Sequence, residues 1–156
     1  MWMIWLFLAI CALTLYAQYR RKQKLISLAE LFKVQNYQQQ TKNPLIDEIN
    51  IGYIYGMARS LSANVSKSKK DFMELASLIY GTGKANQAML ALLEYSTQDD
   101  TKKKHFIKAA NTAIEDVANM SQLLSSYDPL SKNSNAKMPD GLSRLHKDSK
   151  KEIGKK

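Results

Sequence analysis

Few side chains in this chain are suited to chemistry. Two histidines, His105 and His146, and one cysteine, Cys11, are all the imidazole and thiol groups present. A zinc site takes three or four such ligands, so no metal is expected. Cys11 lies in an apolar run and no Gly-x-Ser-x-Gly elbow occurs, so a nucleophilic triad has no support. Gly81-Thr82-Gly83-Lys84 has the composition of a phosphate-binding turn. A phosphate loop also needs glycine where Leu78 stands, Ser or Thr where Ala85 stands, and a strand before it. The stretch therefore reads as a helix end and a turn, and no cofactor is expected.

His105-Phe106-Ile107-Lys108-Ala109 sets a histidine three residues before a lysine and a small residue. This resembles the histidine phosphotransfer domain, a four-helix bundle with a phosphorylated histidine at that spacing. The resemblance implies a membrane-tethered signalling module with His105 as its centre. Ala109 departs from the glycine common in that family, as do the basic approach Lys102-Lys103-Lys104 and a position in the first turn of a helix. Taken alone, His105 reads as a partly exposed helix residue. Leu75, Ala76, Ile79, Ala88, Leu92 and Tyr95 loosely resemble the packing positions of a tetratricopeptide repeat. No second copy follows 34 residues later, and such arrays use three or more. Acidic side chains sit singly or near helix starts, where capping accounts for them. The expectation is a non-enzyme.

The element carrying most information comes first in the chain. Residues 1–19 contain no charged side chain, and Arg20, Arg21, Lys22 and Lys24 follow at once. A helix needs about 20 apolar residues to cross a hydrocarbon core, so residues 1–19 read as a transmembrane anchor. Trp2 and Trp5 at one end and Tyr16 and Tyr19 at the other suit the two interfacial belts. A secretory signal is disfavoured by the missing basic n-region and by Leu15-Tyr16-Ala17 as a cleavage site. Leu8-Ala9-Ile10-Cys11 is a lipobox only if a small residue replaces Ile10. Basic residues accumulate on the cytoplasmic side. The expected location is the plasma (inner) membrane, single-pass, N-terminus outside and C-terminal domain cytoplasmic.

The formal charge of +9 invites a nucleic-acid reading, so its distribution decides. Residues 20–24 carry four basic side chains and no acid; residues 25–128 carry 11 of each sign; residues 129–156 carry eight basic and three acidic. The middle is neutral and has no surplus to follow a phosphate backbone. Nucleic acid is therefore not the expected partner. Arg20, Arg21, Lys22 and Lys24 are assigned to anionic lipid headgroups, at about 1 kcal/mol per residue near the surface.

Between the anchor and the tail, apolar residues recur at helical spacing. Leu25, Leu28, Leu31 and Phe32 extend the anchor as a juxtamembrane helix or linker over 20–43. Asn43-Pro44 then starts a helix, with Asn43 as cap and Asp47 and Glu48 near its positive end. Ile46, Ile49, Tyr53, Met57 and Leu61 form its stripe. Gly52 and Gly56 stand four apart; in a membrane that spacing favours dimerisation, and in a soluble helix it admits one close neighbour. The second reading is preferred. Ser66 to Asp71 reads as a polar hinge with Ser68 and Asp71 at a capping-box-like spacing. Helices are then expected through Phe72–Ile79, Lys84–Tyr95 and 101–127, the last with Ile107, Ala110, Ile114, Val117 and Leu124 along one face. Asp99 and Asp100 lie near its start, and Asp128-Pro129 ends it.

From Pro129 the aromatic residues vanish and Ser, Asn and Lys dominate, so 129–156 reads as a disordered basic tail, with only a transient helix near Leu142–Lys150. The expected fold is all-α: a transmembrane anchor over 1–19, a helical bundle or helical hairpins over 44–128, and the tail. The expected function is a single-pass, membrane-anchored protein-interaction module. It would serve as an accessory or scaffold subunit of a membrane complex, such as bacterial envelope or secretion machinery. Tyr53, Tyr55 and Met57 are its candidate contact residues; a homo-oligomer and a basic-tail binder of lipid or nucleic acid are the further options.

Overall fold

A computed structural model describes residues 2–37, 44–62, 64–97, 100–125 and 139–154, and all the regular structure among them is helical. Six helices follow one another: α1 Trp2–Tyr37, α2 Glu48–Leu61, α3 Val65–Tyr80, α4 Thr82–Thr97, α5 Thr101–Ser125 and α6 Gly141–Ile153. The all-α expectation holds.

The anchor and the juxtamembrane segment are one uninterrupted helix. At 1.5 Å per residue, the 36 residues of α1 extend about 54 Å. Its first half is long and apolar enough to cross a membrane, and none of that apolar stretch is buried against the rest of the chain. From Leu25 the same helix turns amphipathic and buries Leu25, Leu28, Ala29, Leu31, Phe32, Gln35 and Asn36. The segment expected as a linker is thus a wall of the bundle.

At the centre lies α2, which touches α3, α4, α5 and α6. Ile51, Tyr53, Ile54, Met57 and Ala58 are fully buried, so nearly all faces of the helix are covered. Its closest partner is α5. A Cβ added at Gly52 would lie 3.0 Å from the Ala109 methyl carbon, and one at Gly56 would lie 2.8 Å from the Ala110 backbone. The paired glycines therefore serve a neighbouring helix within the chain, as the soluble-helix reading held. This contact also sets the rotation of α5. Phe106, Ala109, Ala110 and Ala113 are buried, whereas Ile107 and Ile114 remain 46% and 41% exposed. The face built on Ile107 and Ile114 is corrected: backbones this close admit alanine and exclude branched side chains.

Local starts and stops differ from expectation in two places. Asp47, four residues after Asn43, caps α2 by accepting a hydrogen bond from the Asn50 amide at 2.8 Å. Asn43 itself lies outside the described residues. The stretch Ser66 to Asp71 is not a hinge but the first turns of α3, capped by Asn64, which accepts from the Ser66 amide at 2.9 Å. Ser68 is buried there and donates to the Ser62 and Asn64 carbonyls, at 2.9 and 3.0 Å. Asp100 caps α5 by accepting from the Lys102 and Lys103 amides, consistent with acidic residues at that start.

The largest correction concerns the tail. Residues 141–153 form α6, whose Leu142 and Leu145 join the core and whose surface packs on α1, α2 and α5. Residues 129–138 and 155–156 of the expected tail, 126–128 at the expected end of the preceding helix, and Asp99 lie outside the described residues. Composition argued for disorder because α6 has few large apolar groups. What holds it is a polar cradle that composition cannot express.

Candidate functional site

The cradle begins on three helices distant in sequence. Gln35 on α1 donates from its amide nitrogen to the Tyr53 hydroxyl at 2.9 Å, and that hydroxyl donates to Asp116 Oδ2 on α5 at 2.6 Å. Asp116 Oδ2 accepts the Gly141 amide at 3.1 Å, and Gln35 Oε1 accepts the Leu142 amide at 2.9 Å. The ring therefore closes on the N-terminus of α6, whose first amides have no intrahelical partner. Asp140 makes no side-chain cap there, so a carboxylate and an amide from other helices satisfy those donors. A negative group is also favoured at that end by the helix dipole. Gly141 is required by the close approach, since a Cβ would lie 2.9 Å from Asp116 Cγ.

Burial raises the Asp116 carboxyl above its usual range, opposed by the hydrogen bonds from Tyr53 and Gly141. Burial, with the hydrogen bond to Asp116 second, also pushes the Tyr53 phenol up. One turn along α6, His146 Nε2 lies 2.9 Å from Asn50 Oδ1, and Asn50 donates to the Leu45 carbonyl at 2.9 Å. Burial lowers the His146 pKa, with the charge of Asp47 acting in the opposite sense. No buried side-chain nitrogen or oxygen among the described residues lacks a partner. Each polar group named here is engaged by another part of the bundle.

The contact residues chosen from the sequence fall in this interior. Tyr53 and Met57 are completely buried, and Tyr55 is partly buried and stacks on Phe106, ring centres 5.8 Å apart. Tyr53 and Met57 are therefore removed as contact residues, and Tyr55 is committed to α5. The stripe was legible, but its direction toward the core was set by α5 and α1 together.

His105 stands between two acids, with Nδ1 3.6 Å from Glu48 and Nε2 3.2 Å from Glu152 of α6. Both ring nitrogens face carboxylates, whose charge opposes an incoming phosphoryl group, so the geometry does not favour phosphotransfer. The Gly81–Lys84 stretch is a corner between two helices. Gly81 takes φ 87°, ends α3 by donating to the Ser77 carbonyl, and leaves Gly83 and Lys84 in the first turn of α4. No strand precedes it, and it forms no phosphate cradle. Among the described residues no group of three or more His, Cys, Asp or Glu is arranged to hold a metal ion.

The four basic residues after Tyr19 separate into distinct environments. Arg21 forms an ion pair with Asp71 on α3, its Nε donating at 3.1 Å, and a second with Glu74 at 3.4 Å. Asp71 is 3% exposed at its side chain and Arg21 42%. Arg20 lies over the Tyr16 ring, 5.9 Å from its centre. Open grooves flank α1 at this level. One, with Lys22, Lys70 and Glu74, runs between α1 and α3. The other, with Arg20 and Lys24, runs between α1 and the ends of α2 and α5.

These features define the class: an all-helical bundle built directly onto one long apolar helix, with no metal-ligating cluster among the described residues. Comparison with protein-family models, curated proteins and solved structures gives no significant match.

Proposed function

We propose that this chain is a single-pass membrane-anchored protein-interaction module, an accessory or scaffold subunit of a membrane complex. The observation that carries the reading is the continuity of α1. A helix that is apolar and nowhere buried over the described part of its first half enters the bundle core at Leu25 without a break. A linker would let the bundle swing; an unbroken helix held by the Arg21–Asp71 pair keeps it at a fixed attitude to the bilayer. A binding partner in the same membrane then meets a preoriented surface, which lowers the ordering cost of association.

With Tyr53 and Met57 in the core, the contact surface moves to other residues. Leu90 and Leu93 on α4 and Ile107 and Ile114 on α5 are large, apolar and between 41% and 68% exposed, on two helices that touch. Purification of the tagged chain in mild detergent tests the reading. A stoichiometric membrane-protein partner lost on Leu90→Asp or Ile107→Asp supports it; recovery of the chain alone in several detergents counts against it. The positive-inside bias of Arg20, Arg21, Lys22 and Lys24 sets the topology, bundle in the cytoplasm of a bacterial-type inner membrane. A C-terminal tag digested only from the outer side of sealed vesicles overturns that orientation.

A further inference from the structure

We infer that the groove between α1 and the ends of α2 and α5 is a binding site for one anionic phospholipid. The inference rests on α1 spanning the membrane. The groove, of about 940 Å³, is lined along α1 by Tyr16, Arg20 and Lys24 and across from it by Leu61, Val117 and Met120. Three observations select the occupant.

The first is charge. The groove contains no acidic side chain, and neither Arg20 nor Lys24 makes an ion pair among the described residues. The opposite groove carries Glu74 beside Lys22 and Lys70, and Arg21, which lines both grooves, is already held by Asp71 and Glu74. Two residues of the same basic run thus line a cleft that holds no acid, while a third, Arg21, is neutralised by the bundle.

The second is level. Tyr16 and Ala17 belong to the last turns of the apolar stretch, and Arg20 and Lys24 follow one and two turns later. A lipid seated here puts its phosphate beside Arg20 and Lys24 while an acyl chain continues along Tyr16 into the hydrocarbon. Arginine and lysine are the usual partners of phosphate oxygens. Tyrosine suits the border between headgroup and hydrocarbon.

The third is the far wall. Leu61, Val117 and Met120 are partly buried apolar residues facing two cations. A free inorganic anion has no use for that wall, whereas the glycerol and upper acyl segment of a phospholipid cover it. Small-molecule sites commonly pair an apolar lining with a few such charged groups.

The test uses the full chain in zwitterionic detergent and native mass spectrometry of retained lipid. It is titrated with phosphatidylglycerol, with phosphatidylcholine of the same acyl chains, and with inorganic phosphate. One phosphatidylglycerol is expected per chain, with affinity about fivefold lower in Lys24→Gln and lower still in Arg20→Gln/Lys24→Gln. Lys22→Gln removes the same charge two residues away but lines the opposite groove, and it is expected to retain the lipid. Met120→Glu, which leaves α1 untouched, is expected to expel it. Thermal unfolding followed by circular dichroism verifies that each variant is folded.

Equal losses in Lys22→Gln and Lys24→Gln would mean diffuse surface attraction and overturn the site. Equal retention of phosphatidylcholine would do the same, as would displacement by millimolar inorganic phosphate. A chain that never enters membranes would sink the anchor reading itself; one that enters them yet retains no phosphatidylglycerol would sink only this inference.

Discussion

The Tyr53 hydroxyl donates to Asp116 Oδ2 at 2.6 Å across the α2–α5 interface, and both side chains are buried. Because Asp116 also receives the Gly141 amide and Tyr53 receives the Gln35 amide, this one bond ties four helices together.

Tyr53→Phe keeps the ring and removes the hydroxyl, leaving a buried carboxylate and a buried amide each short of a partner. A buried group left unsatisfied costs about 1–3 kcal/mol. The expected outcome is a loss of that size in denaturant unfolding, with faster amide exchange across α6 than across α3.

Gly56 and Gly83 respond to alanine with opposite signs. At Gly56 the new methyl meets the Ala110 backbone, which cannot rotate away. Overpacking of this kind costs about 1–3 kcal/mol and outweighs the helix-propensity gain of about 1 kcal/mol. At Gly83, in the first turn of α4, nothing lies within 4 Å. Gly83→Ala is expected to raise stability by up to about 1 kcal/mol. Paired thermal melts check both.

The Arg21–Asp71 pair couples the exposed half of α1 to the bundle. Arg21→Gln strands a buried carboxylate, but the arginine is half-exposed and water screens part of the effect. We expect a loss of about 1–3 kcal/mol, against a change within about 0.5 kcal/mol for the surface substitution Lys22→Gln. Equal stabilities in denaturant titrations would show the pair to be incidental.

The docking of α6 is expected to weaken as pH falls. Burial lowers the His146 pKa below the ordinary 6.5, opposed by Asp47 and Glu48 and assisted by Lys150. The folded state therefore binds fewer protons than the unfolded chain. The contribution is fully present above pH 6.5 and is lost as pH drops through the folded value. The Asp116 carboxyl has the opposite sign, its raised pKa favouring the fold under acid conditions, in a window that starts near the ordinary carboxylate value of 3.8. Charging of the histidine is the part of this balance that weakens the docking of α6 as pH falls. Protection factors of 141–153, which take out the intrinsic slowing of exchange in acid, should fall from pH 7.5 to 5.5, and His146→Gln, which keeps a donor to Asn50 without a titrating ring, should flatten the dependence.

Several local signals in the sequence carry over into the structure, although the hinge expected at Ser66 to Asp71 does not. The uncharged run before Arg20, the stripe Leu25, Leu28, Phe32 and the glycine pair of α2 each follow from spacing along a single helix, and the structure shows an apolar helix, a buried stripe and a close helix contact at those places. Leu142, Leu145, His146 and Ser149 also carried a helical spacing, yet their surroundings of lysine and serine outweighed it. The stabilising groups of α6, Gln35 and Asp116, lie 107 and 25 residues from their partners. No window along the chain contains them together.

By itself, then, the sequence determined an apolar helix long enough to span a bilayer, a basic flank after it, and an all-helical body. These depend on composition and on the 3.6-residue period, which are properties of each segment alone. Only the tertiary structure decided that Tyr53 and Met57 face inward, that α5 presents its alanines, and that α6 docks. It also decided that Arg21 is neutralised while Arg20 and Lys24 face an acid-free groove. Those outcomes depend on which surfaces approach closely enough to exclude water, and that is settled between helices.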